Sequence, residues 1–427
     1  MAVRQIIKAA LCAAFAFCFT AAAPVSDRLP GGGRIIVVRT DSSTAAAVAL
    51  WYRAPSSGFE TTPVPGIARL AAATVAASTP ITGTPLGRYV ESLGGKLAVT
   101  SYPNSVAISA LVPADRAADV VRAMTVSYFA PVVTDAGLVI ARRDMAEEAL
   151  YRQFSPEDTL GDALGAALFA DGPARYPSLA KPGDLGAISA ARVKAYAERA
   201  FRPANAVLVV TGAVGPEVAA AAVPGRSDAA TGQEPSLLQH PVAQPAPVTT
   251  MGSERGVGLG WIGPAIADER EATALDFITD YLFRPETGMV QRSIGPTKAA
   301  VTGKFVTYHD PGIVLITISG GNVDSARAIV DGALAGLRKP LDPATFAAAR
   351  AAFEYHMLSD IQTPGELADT FGWYTVEGNP DYAPGAGGTN GKYFAAASGL
   401  TPAFVAATVA KYLDRPGAVV AASEEKK

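Results

Sequence analysis

Two rhythms of apolar and polar positions run along this chain, and each is used more than once. Arg34-Ile35-Ile36-Val37-Val38 and the run from Ala45 to Trp51 are short apolar stretches that predict adjacent strands. Lys96 to Thr100 and Ser105 to Leu111 flank Pro103-Asn104, which predicts a hairpin. Asp115 to Tyr128 and Ala136 to Gln153 carry the longer helical period. Hairpins mixed with long helical pairs imply an α+β layered fold rather than a doubly wound parallel sheet.

The same closing pattern occurs twice. Leu185 to Ser189 leads into a helical segment through Val193, Tyr196 and Ala200, then Arg202-Pro203 and the apolar strand through Val210. Ser398 to Thr401 leads into a helical segment through Val405, Val409 and Tyr412, then Arg415-Pro416 and Ala418-Val419-Val420. Each copy has a Ser or Thr positioned to cap the helix, an Arg-Pro break and a buried-looking strand. A fold used twice is the expectation. Val223 to Thr250, rich in Pro, Ala, Ser and Gln and without apolar periodicity, reads as the linker. The expected division is therefore a leader over 1–23, a first domain over 24–222, a linker over 223–250 and a second domain over 251–427.

Composition narrows the chemistry. With 427 residues, 49% of them hydrophobic, the chain has material for two or more cored domains. Its start, with Arg4 and Lys8, an apolar run from Ala9 to Phe19 and small residues from Ala21 to Ala23, follows signal-peptide grammar, an uncleaved membrane anchor being the alternative. Cleavage near Ala23 implies a periplasmic or secreted protein. Both cysteines, Cys12 and Cys18, lie in that leader, so the mature chain has no thiol for a disulfide, metal site or nucleophile. Losing Arg4 and Lys8 takes the net charge from −3 to −5, which argues against nucleic acid as a partner.

Several segments resemble the M16 family of insulinase, pitrilysin and mitochondrial processing peptidases. They are Leu50 to Ala54 with Gly58, Gly66 to Thr74, Tyr89 to Leu97, Val112-Pro113-Ala114-Asp115, Lys181 to Leu185 with Arg202 to Ala206, and Asp310-Pro311-Gly312. The resemblance implies two repeated α/β domains forming one bowl-shaped half of a peptidase chamber. In that family the segment at 66–74 carries H-x-x-E-H, two zinc-binding histidines and a glutamate base. Here those places fall on Arg69, Ala72 and Ala73. The family's third ligand, a glutamate on a later helix, matches Glu148 within Arg142 to Glu148, a carboxylate that either pairs with Arg69 in place of a metal or stands as an unrelated surface charge. An arginine and a tyrosine that active members draw from their second half fall on Ile294 and Val301, unless a register slip brings in Arg292 or Lys298.

No second site emerges. His240 reads as solvated, His309 beside Asp310 as a turn residue and His356 as a packing residue in a helix; no two histidines have metal-ligand spacing. Gly385 to Lys392 fails the phosphate-loop pattern at Ala386 and Tyr393. The expectation is a catalytically inactive homologue without a cofactor of its own, zinc being carried by a catalytic M16 partner subunit, with extended peptide as the shared ligand. The alternative is a stand-alone periplasmic peptide-binding or scaffolding protein.

Overall fold

The computed structural model describes residues 24–424 apart from 41–42, 61, 79, 82, 225–238 and 244–246. The expected leader with both cysteines and most of the expected linker lie outside them. In the first half the strands are β1 (Val25–Arg28), β2 (Arg34–Arg39), β3 (Ala45–Arg53), the short pair β4 (Pro80–Ile81) and β5 (Thr84–Pro85), β6 (Lys96–Ser101), β7 (Ser105–Pro113), β8 (Phe169–Asp171) and β9 (Ala206–Gly212). The helices are α1 (Ile67–Ser78), α2 (Leu86–Ser92), α3 (Ala117–Tyr128), α4 (Asp135–Gln153), α5 (Pro156–Leu168) and α6 (Ala190–Ala200).

The second half repeats this plan. It contains β10 (His240–Pro241), β11 (Val248–Gly252), β12 (Gly256–Ile262), β13 (Ala300–Val306), β14 (Ile313–Ser319) and β15 (Ala418–Glu424). Its helices are α7 (Glu269–Phe283), α8 (Met289–Ile294), α9 (Val323–Leu337), α10 (Pro343–Ser359), α11 (Pro364–Val376), α12 (Lys392–Ser398) and α13 (Pro402–Tyr412). The first sheet has the order β1-β2-β9-β3-β7-β6, and the second β11-β15-β12-β14-β13. Beyond the extra β1 the two orders correspond strand for strand, each with its one parallel pair at the same place, β2 with β9 and β11 with β15. The expected α+β duplication is thus visible in the topology. The closing helices begin where the sequence indicates: Ser189 Oγ accepts the Arg192 N–H, and Thr401 Oγ1 accepts that of Phe404.

The linker reading needs correction. His240–Pro241 pairs with β8, and buried Gln239 accepts the Ala174 N–H at 2.9 Å. Val248-Thr249-Thr250, placed in the linker by composition, is the start of an edge strand. β-branched residues supply strand preference that a Pro-rich setting hides.

Each half also lends the other a helix. α5 lies on the second sheet, where Leu160, Leu164 and Leu168 pack against Leu315, Ala418 and Val420. The Gly-Val-Gly-Leu-Gly run of β12 makes room for it: a Cβ on Gly260 would lie 2.9 Å from Leu168 Cδ1, and on Gly258 3.0 Å from Leu164 Cδ1. In return α11 lies on β3 and β9 of the first sheet, with Gly372 against the indole of Trp51. The faces follow strand alternation: Trp51 belongs to the core shared with the second half, while Tyr52 belongs to the core under α1 and α3.

Candidate functional site

Gly66, at φ +80°, sets the entry to α1, and a Cβ there would fall 2.3 Å from the Ala180 backbone nitrogen. The helix that follows is buried on most of its surface, against α4 and α6. From its first turn Arg69 reaches across to α4, and its Nη2 donates to Glu148 Oε2 at 2.9 Å. The Arg69 side chain is 17% exposed and that of Glu148 46%, so the pair sits at a rim where water still screens it.

Ala72 is fully buried, and its carbonyl accepts the Tyr128 hydroxyl at 2.8 Å. Burial pushes the Tyr128 hydroxyl pKa up, with the Arg69 charge pulling weakly the other way. Ala73 is half-buried, one turn along from Arg69. Where two imidazoles and a carboxylate would face Glu148, the protein therefore presents a guanidinium and two methyl groups. These residues do not fit a zinc ion: one carboxylate remains as donor, and a cation already engages it. Among the described residues no three His, Cys, Asp or Glu side chains converge as a metal-binding group elsewhere.

In the second half, Ile294 ends α8 and Val301 lies on β13, both in the apolar core. Val301 takes part in polar contact through its backbone, its carbonyl accepting Gln291 Nε2 at 2.7 Å. Arg292 is exposed and donates to the Thr287 carbonyl; Lys298 is exposed, in a left-handed turn at φ +56°.

The three histidines fall into place separately. His240 is exposed beside Asp171, and His356 Nδ1 lies 2.9 Å from Asp280 in a half-buried pair. His309 departs from the expectation of a simple turn residue. Its backbone N–H donates to Glu377 Oε2 at 2.6 Å, and its ring Nδ1 lies 2.8 Å from the Glu377 carbonyl. Glu377 also accepts the Asn104 side-chain amide at 2.6 Å, while Arg53 donates to the Val376 carbonyl at 2.9 and 2.6 Å. Burial pushes the Glu377 carboxyl up to about 7 against the pull of Asn104, the His309 N–H and Arg53. This polar knot ties the two halves together. Sequence reasoning missed it because its members lie up to 323 residues apart.

No protein-family model matches the chain. A protein of Mycobacterium leprae described as an uncharacterized zinc protease is 26% identical over 193 residues, 44% of this chain and 42% of its own length. The chain thus spans under half the length of the curated relatives it matches. Solved structures match almost throughout. A Helicobacter pylori protease superposes with a TM-score of 0.82 at 15% identity, covering 94% of this chain and all of its own. An M16-like peptidase from Alicyclobacillus acidocaldarius gives 0.76 at 16% identity, covering 94% and 98%. A Pseudomonas fluorescens structure described as a peptidase M16 inactive domain gives 0.73 at 17%, again covering 94% and 98%. The chain has the M16-like peptidase fold, and a little under half of it is similar in sequence to proteins described as zinc proteases.

Proposed function

We propose that this chain is a catalytically silent M16 subunit, exported across the inner membrane, that partners a zinc-bearing M16 peptidase and forms half of its peptide chamber. The observation that carries this reading is the Arg69–Glu148 ion pair, which engages the one carboxylate left of the zinc-ligand set. A guanidinium there compensates Glu148 electrostatically and leaves no position for a metal-activated water. The buried Ile294 and Val301 supply no cation or hydroxyl to a partner's site either. Function then rests on contact. The helix bearing Glu148 exposes Val139, Ile140, Leu150 and Tyr151, with Phe154 just beyond it, apolar surface suited to burial against a partner. The similarity to an M16 inactive domain is in keeping with this division of labour.

Coexpression with an M16 peptidase of the same organism that carries intact H-x-x-E-H tests the reading. The expected result is a heterodimer stable to sizing, burying at least roughly 1,000 Å², with peptide cleavage raised over the peptidase alone. A monomer that leaves the peptidase unchanged refutes it in favour of a stand-alone binding protein.

A further inference from the structure

On the face of the first sheet opposite α1, the two halves line an open cavity of about 520 Å³. Its walls come from both: Trp51 from β3 and Tyr102 from the turn between β6 and β7, Tyr308 from just beyond β13, and Asp369 and Trp373 from α11. Asp369 and Trp373 stand one helical turn apart, on one face. The rings form a continuous set, Trp51 stacked on Tyr102 at 5.4 Å, Tyr102 edge-on to Trp373 at 5.1 Å, and Trp373 against Tyr308 at 5.8 Å. Trp373 is fixed by its Nε1, which donates to the Thr307 carbonyl at 3.1 Å.

Charge on the walls is unbalanced. Lys304 is paired with Glu157 at 3.1 Å, and Arg152 with Asp162 at 2.7 Å and Asp158 at 3.6 Å. That leaves Asp369 with no ion-pair partner among the described residues. It stands close to the aromatic wall: the Tyr102 hydroxyl pKa is pushed up to about 12, by burial first and by the Asp369 charge second.

We propose that this cavity binds a guanidinium or primary ammonium group on a slim aliphatic stem, with Asp369 as its counter-charge and the Tyr102 and Trp373 rings as its walls. A carboxylate beside aromatic faces is the chemistry that holds such cations, through a charge-assisted hydrogen bond and cation–π attraction together. An anion meets four carboxylates against two cations already committed to them. A neutral apolar ligand would strip water from Asp369 and return no partner. The volume matches a small-ligand pocket. Such a cation is either a free amine or the basic side chain of a peptide. The site does not depend on a partner subunit, and its assay uses this chain alone.

The full mature chain is titrated with agmatine, with acetyl-Gly-Arg-Gly-amide and with the norleucine analogue of that peptide, following heat and tryptophan fluorescence. At least one cationic probe should bind, at least tenfold more tightly than the norleucine peptide, and weaken at least tenfold in Asp369→Asn and as salt is raised. Agmatine binding as well as the tripeptide supports a free amine as the source; tripeptide binding alone supports a basic side chain. The proposal is overturned if neither cation binds at millimolar concentration, or if the norleucine peptide binds equally. An unchanged affinity in Asp369→Asn that melts with the wild type overturns it as well.

Discussion

Gly372→Ala isolates the contact that seats α11 on the first sheet. The new Cβ would sit 2.1 Å from Trp51 Nε1 and 2.4 Å from its Cδ1 and Cε2. Ordinary carbon contacts lie at about 3.5–4.0 Å, so the helix must back away by more than about 1 Å or the indole must leave its rotamer. Trp51 has little freedom, being fully buried and stacked on Tyr102 at an interplanar angle of 11°. Against this, alanine gains about 1 kcal/mol over glycine in a helix interior. Overpacking a rigid core costs typically about 1–3 kcal/mol, and an overlap this deep belongs at or above the upper end. The net expectation is a loss of about 2 kcal/mol or more. Gly332→Ala on α9, where a Cβ meets nothing within 4 Å, is the matched control. It should gain up to about 1 kcal/mol. Urea unfolding followed by tryptophan fluorescence measures both. If Gly372→Ala proves as stable as the wild type, or is stabilised like Gly332→Ala, the packing argument fails.

Restoring Arg69→His, Ala72→Glu and Ala73→His together should recover zinc binding, with Glu148 completing the set, before any turnover; equilibrium dialysis and peptide cleavage separate the two. A competent peptidase with Ile294 and Val301 unchanged would contradict the reading of those positions. For Glu377 the folded pKa, about 7, lies above the ordinary value of 4.5. Its protonated form is favoured in the fold, so this contribution to stability is present below pH 4.5 and is lost as pH rises through 7. At about 1.36 kcal/mol per unit the loss is at most about 3 kcal/mol. Wild-type stability should therefore fall relative to Glu377→Gln across that window in urea titrations, and a flat difference would refute the assignment.

Much of the fold was legible because it is local. The strands at 34–38 and 45–51, the hairpin about Pro103-Asn104 and the caps at Ser189 and Thr401 all depend on neighbouring residues. The exchange of α5 and α11 was not legible. Leu160, Leu164 and Leu168 mark an apolar helix face, but which sheet receives it is decided by the glycines of β12, about ninety residues on. The site divides in the same way. Residue types at 69, 72 and 73 are local facts, and their meaning came from resemblance to a family motif. The contact of Arg69 with Glu148 spans 79 residues and is made only by the folding of α4 against α1. The aromatic cavity and the Glu377 knot, assembled from both halves, left no local pattern to read.

Arg69, Ala72, Ala73 and Glu148 on α1 and α4 do not make a set that fits a catalytic metal. The decisive measurement is elemental analysis of the mature chain, purified without chelator from zinc-replete medium. Far less than one zinc per chain is expected. About one tightly bound zinc per chain, removed by chelator and restored by zinc alone, would contradict it.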